Sequence, residues 1–114
     1  MAKRSIPNPL ERRHLIEREL GADAALRLAE AYLAEGRSWD AIGFFQKAGA
    51  RDRLAALREG AIAEGDSFLV REISRVLGED PGAQAWRAVA AAAAAAGKER
   101  YAAEATRQAV RAEG

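Results

Sequence analysis

The segment from Ala22 to Ala48, ADAALRLAEAYLAEGRSWDAIGFFQKA, constrains the fold more than any other part of the chain. Gly36 divides it into two halves, each with a helical apolar spacing. Before the glycine, Leu28, Ala29, Tyr32 and Leu33 share one helix face. After it, Ala41, Ile42, Phe45 and Ala48 do the same. A helix that stops at glycine uses that residue in the left-handed region, where a side chain is costly. Arg37 or Ser38 then opens the next helix, and so short a turn forces the two helices antiparallel. The segment is expected to form a helical hairpin whose apolar faces meet.

Leucine, small residue, tyrosine, glycine, alanine, aromatic and alanine follow one another as Leu28, Ala29, Tyr32, Gly36, Ala41, Phe45 and Ala48. In this the segment resembles a tetratricopeptide repeat. It departs from that family at Ala25, where tryptophan is common, and in having no proline to close the unit. The resemblance implies a non-catalytic binding scaffold: stacked helical hairpins in a right-handed α-α superhelix.

Aligning the turn glycines Gly36, Gly65 and Gly97 extends the pattern. Eight residues before them stand Leu28, Leu57 and Val89; five after them stand Ala41, Val70 and Ala102. An aromatic follows each turn, as Trp39, Phe68 and Tyr101. The copies degrade, however. Ala61 and Ala93 replace the tyrosine, and Ser74 and Thr106 replace the second aromatic. Hairpins are expected over about 22–49, 50–78 and 80–113. Neighbouring hairpins would stack to share one core, in a single repeat domain over 8–114.

Residues 1–7 are expected to be a flexible arm. Asn8-Pro9-Leu10-Glu11 reads as a capped helix start, with a capping helix running to Leu20 and an apolar stripe of Leu10, Leu15, Ile16 and Leu20. Further along, Asp52 is expected to cap the third helix and Asp66 or Ser67 the fourth. Asp80-Pro81 should repeat the cap-then-proline start. With aromatics at only 6%, the core must be built largely of alanine and leucine, whose high helix propensity favours an all-α fold.

The formal net charge of +1 gives no global reason to bind nucleic acid or a membrane. Arg71, Arg75, Arg100, Arg107 and Arg111 are the residues that would contact phosphates. Glu72, Glu79, Glu99 and Glu104 are interleaved among them, and pairs such as Arg100 with Glu104 favour a solvated surface instead. The longest apolar run, Ala88 to Ala96, is about half the length a membrane span needs. No apolar run follows the basic residues of the start, so the sequence does not read as a secretory signal. The abundance of alanine and arginine is associated with GC-rich bacterial genomes, and the chain is expected in the bacterial cytoplasm.

Catalytic pairings find few candidates. The chain has no cysteine and one histidine, His14, read as a partly exposed helix residue. Ser38 and Ser67 stand at helix starts, where capping accounts for them. The carboxylates Glu64 and Asp66, and Glu79 and Asp80, fall at helix ends. No enzyme activity, cofactor or metal is expected.

The expected function is binding of a peptide or partner protein on the concave face formed by the first helices of the hairpins. Equal offsets from the glycines assign to that face Asp23, Leu26, Arg27 and Glu30, then Asp52, Ala55, Glu59 and Ile62, then Gln84, Arg87, Ala88 and Ala91. Of these, Asp23, Glu30, Asp52 and Glu59 would make the groove acidic, with Arg87 basic at its far end. The alternatives are a small structural subunit of a larger bacterial assembly and an arginine-mediated nucleic-acid-binding protein.

Overall fold

The computed structural model describes residues 9, 10 and 21–114. Among them are six α-helices and no strands: α1 Ala22–Ala34, α2 Ser38–Lys47, α3 Arg51–Glu64, α4 Ser67–Leu77, α5 Ala83–Ala95 and α6 Glu99–Glu113. The all-α expectation and the turn positions at 36, 49, 65, 78 and 97 are met. Pro9 and Leu10 are helical, with Leu10 exposed. The rest of the expected capping helix, His14 included, and the arm over 1–7 lie outside the described residues.

Five helices end in one geometry. A glycine with φ between +68 and +75 follows α1, α2, α3, α4 and α5. At Gly36, its own N–H donates to the Leu33 carbonyl at 2.9 Å, and the Arg37 N–H reaches back to the Tyr32 carbonyl at 3.0 Å. These are the paired bonds of a Schellman stop, which satisfy carbonyls the helix would otherwise leave open.

The chain divides into two units, Met1–Leu54 and Ala55–Gly114. In the first, α1 packs along α2. Ala25, Ala29 and Tyr32 are fully buried on α1, at steps of four and three that keep them on one face. Opposite them α2 buries Ala41, Ile42, Phe44 and Phe45. Small alanines let the backbones approach while the aromatics supply most of the apolar area. Phe45 is buried as its spacing implies; Phe44, one residue off that stripe, is equally buried.

In the second unit α5 lies along α6, and α4 touches both. On α4 the buried stripe is Val70, Ile73, Ser74 and Leu77, the spacing of one helix face. Trp86, Val89 and Ala93 of α5 meet Ala105 and Ala109 of α6 in the same core. The alanine run serves a close contact as well. A Cβ on Gly65 would stand 2.5 Å from the Ala93 amide nitrogen, so the α3–α4 turn rests directly on the backbone of α5.

The expected starts of α3 and α5 are corrected, as are the capping roles of Ser38 and Ser67, while the Asp66 cap of α4 is met. α3 begins at Arg51, one residue ahead of Asp52, so Asp52 sits in the first turn and does not cap it; there its charge still suits the helix dipole. At α4 the cap is Asp66, whose Oδ1 accepts from the Leu69 N–H at 3.2 Å. Ser67 is instead the first helical residue, wholly buried, and its hydroxyl has no hydrogen-bond partner. Ser38 likewise opens α2 without capping it. Finally, α5 begins at Ala83 after Gly82, leaving Asp80 and Pro81 outside. The Asp80 carboxylate accepts from the Gly82 N–H at 2.8 Å and from the Trp86 indole N–H at 3.0 Å. Those two bonds hold the connection extended past the proline, in an Asx turn that displaces the proline-first start.

Candidate functional site

On α1, Asp23 and Arg27 are exposed and Leu26 and Glu30 half-buried, on the side away from Ala25, Ala29 and Tyr32. This is the solvent face that the i, i+3, i+4, i+7 spacing of 23, 26, 27 and 30 demands once the other face is buried. Asp52, at the start of α3, is exposed. The Glu30 carboxylate is not free: Arg53 of α3 forms an ion pair with it.

In the second unit Glu59 is exposed and Ile62 half-buried on α3, while Gln84 and Arg87 are exposed on α5. Arg87 is held by Glu113 of α6. Two of the charges expected to set the character of the binding face, Glu30 and Arg87, therefore have counter-charges within the protein. Among the expected residues, Asp23 and Asp52 of the first unit and Glu59 of the second are exposed acids.

A concave feature that the spacing of the sequence did not reveal lies in the second unit. It is an open cleft of about 810 Å³ between the C-terminal halves of α4 and α6 and the loop from Gly78 to Gly82. Hydrogen bonds brace its walls. Arg58, 8% exposed, crosses from α3 to donate to the Ser74 hydroxyl at 3.1 Å, the Glu79 carbonyl at 2.9 Å and the Glu79 carboxylate at 3.1 Å. That ties α3, α4 and the loop together and leaves only the Arg58 Nε without an acceptor. Asp80 fixes the loop to the Trp86 indole on the other side.

Beneath the α4–α6 wall sits a buried carboxylate. Glu104, 3% exposed, accepts from Arg71 of α4 at 2.7 Å, from Gln108 at 2.9 Å and from Arg107. Burial alone pushes its pKa up, but the bonds from Gln108 and Arg107 and the charge of Arg71 outweigh that and hold it below the ordinary carboxylate value. Glu72 is held low by its bidentate bonds from Arg75, at 3.0 and 2.6 Å, against a smaller opposing effect of burial. The partner of Glu104 is thus not Arg100, the pairing that the i, i+4 spacing suggested. Arg71 of α4 takes that place together with Arg107, one turn along α6 itself.

Four of the five arginines weighed as phosphate contacts have a partner among the described residues. Arg71, Arg75 and Arg107 are engaged by carboxylates. On the rim of the cleft, Arg111 reaches only the Gln108 side-chain oxygen, at 3.5 Å.

The cleft residues gave weak signals in the sequence. Ser74 stands where the first hairpin has Phe45, and the guanidinium of Arg58 takes up the polar partner that this replacement leaves on a buried face. Among the described residues, no group of three or more histidine, aspartate or glutamate side chains is placed to hold a metal ion, and no helix is long and apolar enough to cross a membrane. No family model, no curated protein and no solved structure matches the chain.

Proposed function

We propose that the chain is a non-catalytic protein-interaction module of tetratricopeptide-like hairpins, acting as a scaffold or adaptor in the bacterial cytoplasm. Its hairpins would stack in a right-handed superhelix, and a peptide or partner protein would lie across their first helices. The observation that carries this reading is the α1 face. Asp23 and Arg27 stand exposed, with the half-buried Leu26 beside them, on a helix whose opposite side is locked by a fully buried Ala25, Ala29 and Tyr32. A rigid helix with a mixed polar and apolar outer row suits recognition, since little ordering entropy is lost on binding.

The test is capture of a partner from the native organism, followed by its binding kinetics against the parent protein and an Asp23→Lys, Glu59→Lys double variant. Both side chains are exposed, so the fold should be kept. The expected result is slower association with the variant and weaker salt dependence of the remaining binding. Equal kinetics for the two proteins would remove this face from consideration.

A further inference from the structure

The cleft of the second unit carries an inference separate from the α1 face, for none of Asp23, Arg27, Glu59, Gln84 or Arg87 lines it. Its volume, about 810 Å³, is within the range of sites that take small ligands or peptide side chains. Three arginines and three acids line it, and the acids are all occupied. Glu72 binds Arg75 through both oxygens, Glu79 receives Arg58, and Asp80 holds the Gly82 amide and the Trp86 indole. Of the arginines, Arg71 is spent on Glu104 and Arg75 on Glu72. Arg111 is different. Its nearest acceptor, the Gln108 oxygen, stands at 3.5 Å, at the outer limit for a hydrogen bond, and the Gln108 amide is itself committed to Glu104. A guanidinium has five N–H donors in a planar fork matched to a carboxylate.

We propose that this cleft binds an acidic peptide segment, with a carboxylate on Arg111 and a neighbouring apolar side chain against the exposed Ala112. The walls favour this ligand over a polyanion. Asp80, held only by the uncharged Gly82 amide and Trp86 indole, keeps its negative charge in the cleft and would repel a run of phosphates, whereas a single carboxylate at Arg111 meets the one cation without a carboxylate partner among the lining residues. The wall is also set in advance, because the Asp80 bonds fix both the loop and the indole before any ligand arrives.

The experiment is a titration of the full chain, followed by amide and indole NMR shifts. The probe is a capped decapeptide with two glutamates and two leucines among serines. The Gly78 and Gly82 amides and the Trp86 indole N–H should shift together. Loss of one charge-assisted contact should weaken binding about tenfold, both in Arg111→Gln and with the glutamine form of the peptide. Arg100→Gln, on the same helix but outside the cleft, should bind as the parent does. An unchanged helical spectrum for Arg111→Gln separates lost binding from lost folding. The inference is overturned by absence of cleft shifts at millimolar peptide, by equal binding of Arg111→Gln, or by equal binding of the glutamine peptide. Inorganic phosphate or a ten-nucleotide single-stranded DNA producing the same shifts at lower concentration would overturn it too, by assigning the cleft to phosphate.

Discussion

Tyr32 of α1 and Phe44 of α2 stack across the first hairpin, ring centroids 5.6 Å apart and planes within 10° of parallel. The Arg37 guanidinium, 4.9 Å from the Tyr32 centroid, covers the same tyrosine from the turn. Phe45 is turned about 100° around the helix from Phe44 and has the Arg53 guanidinium 6.0 Å from its ring. Two adjacent aromatics therefore serve two different contacts, both wholly buried. Phe44→Ala and Phe45→Ala should each cost about 3 to 5 kcal/mol in urea unfolding. A near-neutral result at either position would mean that its ring is not packed in this core.

The glycine turns differ in a way that substitution can read. Gly36 has φ +74 and open space around it, so an added side chain meets only the backbone strain of the left-handed region. Gly36→Val should cost at least about 1 kcal/mol on that ground. Gly65 has the same φ of +75, but its Cβ would fall 2.5 Å from the Ala93 nitrogen and 2.7 Å from its Cα. Neither atom belongs to a side chain that can swing away. Gly65→Ala should therefore cost more than Gly36→Ala by about 1 to 3 kcal/mol, the cost of overpacking. Equal losses at the two turns, measured by urea unfolding, would show that α5 yields to the added methyl.

Glu104 gives the protein a predictable acid sensitivity. Its pKa is held below the ordinary value of 4.5 by its three partners, so the folded protein binds this proton less readily than the unfolded chain. The stabilisation is complete above the unfolded value and is lost as pH falls through the lower, folded one. Glu104→Gln should remove that part of the acid dependence and, at neutral pH, cost about 1 to 2 kcal/mol, since a buried acceptor of charge-assisted bonds is weakened. The cost stays below that of a fully buried pair because Arg71 and Arg107 remain half-exposed or more and can turn to water. Unfolding midpoints from pH 7 down to pH 3 test both parts. Parallel curves for parent and variant would show that Glu104 is not the acid-sensitive group.

What could be read from the sequence follows from how local each cause is. The stops at Gly36, Gly65 and Gly97 were legible because one residue's backbone freedom decides them. The burial of Tyr32 and Phe45 was legible because helical spacing groups them with other apolar residues. Phe44 was missed because only the placement of Tyr32 gives it a partner. The start of α5 was misplaced because Asp80 answers to Trp86, six residues on, more than to the proline beside it. Arg58 and Glu104, which shape the cleft, depend on partners 21 and 33 residues away, and no local pattern encodes such distances.

The pairing of Glu30 with Arg53 revises how the binding face should be probed. From spacing alone, Glu30 and Glu59 are equivalent, and reversing both to lysine should leave thermal stability nearly unchanged. The structure separates them. Glu30→Lys sets an ammonium against Arg53, both partly exposed, and should cost about 0.5 to 1 kcal/mol. Asp23→Lys and Glu59→Lys should each stay within about 0.5 kcal/mol of the parent, as exposed charges generally do. Arg53→Glu combined with Glu30→Lys should restore most of the loss, since the pair is re-formed with its signs exchanged. Thermal unfolding of these four proteins gives the comparison directly. If Glu30→Lys and Asp23→Lys are equally stable, the ion pair contributes nothing to the fold. Glu30 would then return to the acidic residues available to a partner, beside Asp23 on the face of α1.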